Sequence, residues 1–151
     1  MTPMRYLLFA TLVVTFIVAG CNAGAKKDKG VNKVITAALA DTARYTTIEW
    51  LDSTRDLGKV PEGQKLDVAF RFRNTGTTPL VIGRVQPSCG CTIADPPREP
   101  IAPGAEGLIK ASFNSDGRAG INHKSLLVTT NTKGSQSFAL QFVVEVTKKS
   151  S

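Results

Sequence analysis

The sequence is poor in the residues from which enzymes most often build active sites. Its 151 residues contain one histidine, His123, and three cysteines. A Ser-His-Asp or Cys-His site would have to use that histidine. His123 stands between Asn122 and Lys124 in an alternating stretch, where an exposed or half-buried strand position is expected. We therefore predict no catalytic residue and no enzymatic activity.

Motifs for nucleotides and other cofactors are also missing. Residues 117–120 (GRAG) lack the Lys-Ser/Thr pair and the following helix of a phosphate-binding loop, which makes a turn the better interpretation. Two carboxylate pairs, Asp52 with Asp56 and Glu99 with Glu106, lie in charged loops and are interpreted as solvated groups. We expect no cofactor.

Positive charge is not concentrated in the part of the chain that should fold. The formal net charge is +7, but residues 44–147 carry twelve basic and ten acidic side chains, a net charge of +2. The excess lies in Arg5, in residues 22–43 and in the pair Lys148 and Lys149. Because nucleic-acid binding needs a basic patch on the folded surface, we predict no nucleic-acid partner.

One long apolar run is present, and it is short for a membrane-spanning helix. Residues 6–18 (YLLFATLVVTFIV) follow Arg5 and are uncharged, the pattern of a secretory signal. A spanning helix needs about 20 apolar residues. A retained anchor would also place Lys26, Lys27 and Lys29 on the exported side, against the positive-inside rule. The run therefore predicts export.

The end of this signal resembles the lipobox of bacterial lipoproteins. Residues 18–21 read VAGC, small residues before a cysteine. The resemblance implies that Cys21 is diacylated and becomes the mature N-terminus, which anchors the protein to a bacterial membrane. We expect a cell-envelope location, on the periplasmic side or at the outer membrane. The alternative is that Cys21 is a small residue at the end of an ordinary signal.

The segment after Cys21 separates the anchor from the folded domain. Residues 22–30 (NAGAKKDKG) show no apolar periodicity and are predicted to form a flexible tether. In residues 31–44 the spacing of Val31, Ile35 and Leu39 allows a short helix. The predicted organisation is a signal peptide at 1–20, a lipidated N-terminus and linker at 21–44, a β-sandwich at 45–147 and a basic tail at 148–151.

From Thr46 the pattern changes to short alternating runs separated by turn residues. Leu66, Val68, Phe70 and Phe72 alternate with polar or small residues, as in a strand with one buried side. Prolines between residues 96 and 103 exclude a helix there. About seven such runs predict an all-β, immunoglobulin-like antiparallel sandwich.

Several motifs in this region together resemble the bacterial family of domain of unknown function 1573. The family is similar to the Hydin-type and major-sperm-protein-type immunoglobulin-like modules, and the resemblance implies an interaction or structural role. It covers residues 46–146. The motifs are residues 57–63 (LGKVPEG), 70–76 (FRFRNTG), 79–82 (PLVI), 88–92 (SCGCT), 101–104 (IAPG) and 130–131 (TN).

Cys89 and Cys91 are the side chains of this domain best suited to chemistry, and three interpretations of the pair stay open. The thiols could pack in the interior. They could form a disulfide in an oxidising compartment. In an extended strand the Cα atoms of residues two positions apart lie about 7 Å from each other, which is at or past the limit for this bond, so Gly90 would have to turn the chain. They could bind Cu(I) or Zn(II) if a further ligand is present. We predict no metal site from the sequence alone.

The leading functional hypothesis is a lipid-anchored binding or structural module of the cell envelope. Its candidate binding face is the outward row of one strand, formed by Asp67, Ala69, Arg71 and Arg73. We expect an envelope protein as partner and leave the oligomeric state open. The alternative hypothesis is a thiol-based redox or soft-metal-handling protein that uses Cys89 and Cys91.

Overall fold

The computed structural model describes residues 28–148, which form two packed sheets, one α-helix and one short 3-10 helix. The predicted signal peptide, Cys21 and residues 149–151 lie outside this range. No helix of residues 28–148 has the length and apolarity needed to cross a membrane. In chain order the elements are α1 (Asp28–Ala40), a 3-10 helix (Thr42–Arg44), β1 (Ile48–Trp50), β2 (Thr54–Pro61), β3 (Lys65–Asn74), β4 (Ile82–Pro87), β5 (Thr92–Asp95), β6 (Glu106–Asn114), β7 (Gly120–Thr130) and β8 (Ser137–Thr147).

The two sheets have four strands each and confirm the predicted β-sandwich. Their strand orders are β1-β3-β6-β5 and β2-β8-β7-β4. The described part of the chain thus has eight strands rather than about seven, and β2 pairs with β8 in parallel. Residues 51–53 carry the chain from β1 in the first sheet to β2 in the second. There β2 lies next to β8 and runs in the same direction. Because β2 is largely exposed, its sequence lacks the alternation that would have predicted it.

The core lies between the two sheets, on the faces that alternation predicted. In β3 the side chains of Val68, Phe70 and Phe72 are buried, and their neighbours point outward. The ring centroids of Phe113 and Phe142, from opposite sheets, lie 5.8 Å apart. Apolar burial on this scale is the main source of stability in the domain. The other buried core residues are Leu80, Ile82, Ile109, Ala111, Leu126, Val128, Leu140, Val144 and Val146.

Helix α1 covers the segment in which the spacing of Val31, Ile35 and Leu39 allowed a short helix, and it starts three residues earlier than that segment. It begins at Asp28, so residues 28–30 of the predicted tether form its first turn, and it ends at Ala40. Ala38 is buried, and Leu39 lies against Gly83 of β4, where an added methyl group would come within 2.7 Å of its Cδ1. The linker is ordered here because this apolar helix face packs on the sandwich.

Asn131, directly after β7, fixes the segment that leads from α1 into the sandwich. Its side chain is buried and accepts a hydrogen bond from the Val81 N–H at 2.7 Å. The Asn131 Nδ2 donates to the carbonyl oxygens of Arg44 at 2.9 Å and Pro79 at 3.0 Å. One buried amide therefore holds three backbone segments together, and each of its bonds replaces one lost to water.

Asn74, the last residue of β3, plays the same role on the other sheet. Its Nδ2 donates to the carbonyl oxygens of Thr78 and Ile101, each at 2.9 Å. Its Oδ1 accepts from the Thr46 hydroxyl at 2.7 Å and from the Gly76 N–H at 3.1 Å. The family motifs at residues 74–76 and 130–131 are thus explained by structural hydrogen bonds.

The sandwich has two chemically different ends. In the ladder between β3 and β6, Arg73 lies opposite Glu106 at one end, and Lys65 lies opposite Asn114 at the other. The first end contains Asn74 and Asn131 and receives the chain from α1; we call it the N-terminal end. At the second, the Asn114 N–H donates to the carbonyl oxygen of Cys91 at 2.9 Å; we call it the cysteine end.

Candidate binding surface and cysteine pair

The outer face of β3 points to solvent, as the alternation predicted. Asp67, Arg71 and Arg73 are exposed, and Ala69 between them is half-buried. Two acidic residues from neighbouring segments meet the arginines. Arg71 Nε lies 2.6 Å from Asp52 Oδ2, and Arg73 Nη2 lies 2.5 Å from Glu106 Oε1. The arginine part of the face is therefore neutralised by the protein itself.

Hydrogen bonding keeps these ion pairs charged. The side-chain hydrogen bond from Arg71 is the main cause that lowers the pKa of Asp52 below its ordinary value, and Asp52 in turn raises the pKa of Arg71. Glu106 raises the pKa of Arg73 in the same way, again chiefly through a side-chain hydrogen bond. Exposed pairs of this kind contribute little to stability, so their main effect is to fix the side chains in place.

A groove lies beside this row, towards the cysteine end. It has a volume of about 410 Å³ and crosses β3, β6 and β5. Two rows of side chains cross the three strands here. One row is Asp67, Ser112 and Ile93, and the other is Ala69, Lys110 and Asp95. Ala69 and Ser112 are the small residues of these rows and form the floor of the groove. We call it the sheet groove, lined on its outer side by Lys65, Asp67, Ala69, Ile93, Asp95, Lys110 and Ser112.

Ile93 is the apolar residue that makes this groove unusual. It is 68% exposed and lies on β5, the edge strand of its sheet. An edge strand carries backbone groups that face outward and can pair with another strand. Ile93, Asp95 and Lys110 belong to no motif that the sequence pattern makes visible. In this four-residue strand the exposed Ile93 and Asp95 alternate with Thr92 and Ala94, but the run is too short to predict a strand.

The structure joins Cys89 and Cys91 by a disulfide. Their Cα atoms are 5.3 Å apart, because residues 89–92 form a turn in which the Thr92 N–H donates to the Cys89 carbonyl oxygen at 3.3 Å. This is the turn at Gly90 that a bond over so short a span needs. The extended geometry that would oppose the bond is absent at this position, since β4 has ended and β5 begins at Thr92.

The disulfide is half-buried at the cysteine end, and one side of it faces a second cavity. Both cysteines are partly covered, whereas Gly90 between them is exposed. The Thr92 hydroxyl oxygen lies 3.7 Å from Cys89 Sγ and 3.9 Å from Cys91 Sγ. The cysteine pocket, about 290 Å³ in volume, is lined by Lys65, Gly90, Cys91, Ile93, Ser112, Asn114, Asp116 and Arg118.

A soft-metal site would need ligands beyond the two cysteines. Within residues 28–148 no group of three or more His, Cys, Asp or Glu side chains is arranged to hold a metal ion. His123 is exposed on β7, where it lies opposite Val143 of β8. The disulfide also removes the two thiolates that a metal would require.

The other motifs noted in the sequence have structural explanations. Residues 117–120 form the turn between β6 and β7, with φ angles of 65° at Gly117 and 100° at Gly120, which only glycine adopts easily. Asp56 accepts a hydrogen bond from the Gly58 N–H at 2.8 Å, while Asp52 and Glu106 bind arginines. These carboxylates thus hold local structure.

Solved structures resemble this chain in fold at low sequence identity, and no curated protein matches it. A protein of unknown function from Porphyromonas gingivalis W83 has a TM-score of 0.61 at 20% identity, over 70% of this chain and 49% of its own. The chain thus spans about half the length of that protein. The PapD-like domain 7 of human CEP192 has a TM-score of 0.54 at 11% identity, over 71% of this chain and 89% of its own.

A third likeness is to one part of a much longer protein. The secreted serine protease VesC from Vibrio cholerae has a TM-score of 0.50 at 17% identity, over 75% of this chain but 25% of its own. At these identities the likenesses show a PapD-like, immunoglobulin-like fold. The family model for proteins of unknown function DUF1573 matches residues 48–146, two thirds of the chain, and the chain belongs to this family.

Proposed function

We propose that this protein is a lipid-anchored binding module of the bacterial cell envelope that catalyses no reaction. In this proposal Cys21 carries the lipid, and the sheet groove binds an extended segment of another envelope protein. The single observation that carries the binding role is the exposed Ile93 on an edge strand, at the rim of the groove.

The placement of the two ends supports an anchored orientation. The chain enters the sandwich at the N-terminal end, where Asn131 holds the carbonyl of Arg44. The sheet groove lies in the half of the sandwich nearer the cysteine end. In this proposal the tether from Cys21 joins the sandwich through α1 at the end opposite the cysteine end, which leaves the groove open to a partner.

The composition of the groove favours a protein segment over a charged small molecule. Its rim mixes Lys65 and Lys110 with Asp67 and Asp95, so neither sign of charge dominates. Such a rim around an apolar contact is typical of protein interfaces. An added strand on β5 would gain backbone hydrogen bonds and would place side chains against the groove.

The anchor is tested by replacing its acceptor cysteine. We expect Cys21→Ser to abolish incorporation of a labelled fatty acid and to move the protein from the membrane to the soluble fraction. Cys91→Ser is the control and should keep both the label and the membrane location. Fatty-acid labelling that persists in Cys21→Ser would contradict the proposed anchor.

The binding surface is tested with two matched isoleucines. Ile93 and Ile121 are both 68% exposed, but Ile121 lies on β7 in the other sheet. We expect Ile93→Asp to release the full-length protein from a larger complex in detergent-solubilised membranes, as measured by native electrophoresis. Ile121→Asp should leave the complex intact, and equal behaviour of the two variants would contradict a role for the groove.

A further inference from the structure

The cysteine pair has an environment that the binding role does not explain. One sulfur-bearing residue, Cys91, lines the cysteine pocket together with the cations Lys65 and Arg118 and the anion Asp116. Cys89 does not line that pocket. The two cysteines therefore differ in their surroundings, since Cys91 lines the pocket and also packs against the hydrophobic core.

The disulfide is also unsuited to a purely stabilising role. It closes a loop over a sequence separation of two residues, which removes little conformational entropy from the unfolded chain. The exposed Gly90 leaves the turn open to solvent on one side. Exposed disulfides exchange with thiols more readily than buried structural ones do.

The pocket favours attack by a negatively charged thiol. A pocket of about 290 Å³ is at the lower limit of small-molecule sites, so it has room for one side chain or a small thiol rather than for a large cofactor. Lys65 and Arg118 attract and stabilise a thiolate there. A thiolate in this pocket would lie beside Cys91, the cysteine that lines it.

The opposite sulfur has a partner that can stabilise it after the bond breaks. The Thr92 hydroxyl lies 3.7 Å from Cys89 Sγ and 3.9 Å from Cys91 Sγ, so it can donate to whichever sulfur leaves as a thiolate. A hydroxyl donates a stronger hydrogen bond to a thiolate than to a neutral sulfur. Thr92 itself is held by its own N–H bond to Cys89, so the hydroxyl stays beside the leaving sulfur.

We propose that Cys89–Cys91 is a thiol–disulfide exchange site that reacts with an anionic thiol through the cysteine pocket. The thiolate bonds to Cys91 Sγ as the Cys89–Cys91 bond breaks, and the electron pair of that bond leaves on Cys89 Sγ. A second thiolate then attacks the external sulfur of the mixed disulfide and releases Cys91 as a thiolate. Two external thiols are oxidised to one disulfide, and their two protons pass to the cysteines.

The first test locates the mixed disulfide in the full-length protein. The protein is mixed with reduced glutathione, quenched with acid and digested, and the peptide that contains the pair is mapped by mass spectrometry. We expect glutathione on Cys91. Glutathione on Cys89, or a bond that millimolar glutathione reduces only after the protein is denatured, would overturn the proposal. Mapping this peptide alone keeps the result independent of Cys21 and of the envelope partner.

The second test removes the pocket cations. We expect Lys65→Gln with Arg118→Gln to slow reduction by glutathione about threefold at low salt, and the difference to vanish in 1 M salt. Reduction by the neutral thiol 2-mercaptoethanol should be unchanged. Lys133→Gln, an exposed lysine between β7 and β8, is the matched control and should react like the wild type. Equal glutathione rates for the wild type and the double variant would overturn the assigned route.

A third test uses a peptide thiol to distinguish a small thiol from a protein thiol as the reactant. A cysteine peptide with flanking acidic residues should react through Cys91 and show the same dependence on the cations. If glutathione shows the dependence and the peptide does not, the site takes a small thiol. If the peptide shows the larger dependence, the site takes a protein thiol.

Discussion

The two ends of the sandwich differ in how far their polar residues are open to solvent. At the N-terminal end the side chains of Asn74 and Asn131 are fully buried and their hydrogen bonds go to named backbone groups. At the cysteine end Asn114 is exposed, and the disulfide is half-covered beside an open pocket. At the cysteine end the buried Ser115 also holds the fold, because its hydroxyl accepts a hydrogen bond from the Gln64 N–H and donates one to the Pro61 carbonyl. The difference is that polar residues at this end lie beside an open pocket next to the disulfide.

The same contrast holds for glycine. A methyl group on Gly76, at the N-terminal end, would come within 2.7 Å of the Thr47 backbone nitrogen, whereas one on Gly90 would meet no atom within 4 Å. Close packing makes the first position intolerant of any side chain. Function is therefore expected where the structure is least constrained.

The largest effect is expected for Asn131→Ala. The change would remove the Asn131 partner of the Val81 N–H and the Pro79 carbonyl. It would leave the Arg44 carbonyl with the weaker bond from the Thr78 hydroxyl at 3.3 Å. We expect the free energy of unfolding to fall by about 3 to 5 kcal/mol, measured by urea denaturation. Asn114→Ala at the cysteine end is the matched control, with an expected loss below about 0.5 kcal/mol. Equal losses would remove the distinction between the ends.

A second comparison uses the two glycines. Gly76→Ala should lower the free energy of unfolding by about 1 to 3 kcal/mol, because the backbone of Thr47 cannot move without disturbing β1. Gly90→Ala should change it by less than about 0.5 kcal/mol. Thermal unfolding of both variants provides the measurement, and a greater loss in Gly90→Ala would show that the turn at the cysteine end is the tighter of the two.

Reduction of the disulfide should have a smaller effect than the loss of Asn131. A loop this short contributes less than about 2 kcal/mol by the chain-entropy argument. Reductant should therefore lower the free energy of unfolding measured in urea by less than about 2 kcal/mol, and the reduced domain should stay folded. Unfolding of the domain on reduction would mean that the cysteine end, too, supports the fold.

The smallest effect concerns the ion pair on the candidate face. Since Arg71 lowers the pKa of Asp52, the pair stabilises the fold above the ordinary pKa near 3.8 and loses this contribution as the pH falls through the lowered pKa. The stability of Arg71→Gln should approach that of the wild type in that acidic range. The exposed Arg84→Gln on β4 serves as control. A gap that widens in acid would contradict the assigned pair.

The sequence predicted what depends on regular alternation. The buried rows of β3, β6, β7 and β8 follow from the pleat of a strand, in which every second side chain faces the core. The outward direction of Asp67, Arg71 and Arg73 follows from the same rule. The sheet exchange at residues 51–53 and the parallel pairing of β2 do not, because pairing is decided by distant strands.

The site was harder to predict because it depends on contacts between distant segments. The sequence pattern shows no partner for Arg71 or Arg73. In the structure Asp52 and Glu106, from other segments, form ion pairs with them. The disulfide was one of three interpretations, and its turn depends on where β4 ends and β5 begins. Alternation alone carries no information on such neighbours.

Photo-crosslinking in intact cells tests the central claim most directly. A photo-reactive amino acid is placed at position 93 or at position 121 of the full-length protein, two sites of equal exposure on different sheets. We predict an adduct with one envelope protein from position 93 and none from position 121, identified by mass spectrometry. Adducts of equal yield from both positions, or an adduct that consists of a second copy of this chain, would contradict a groove that binds another protein.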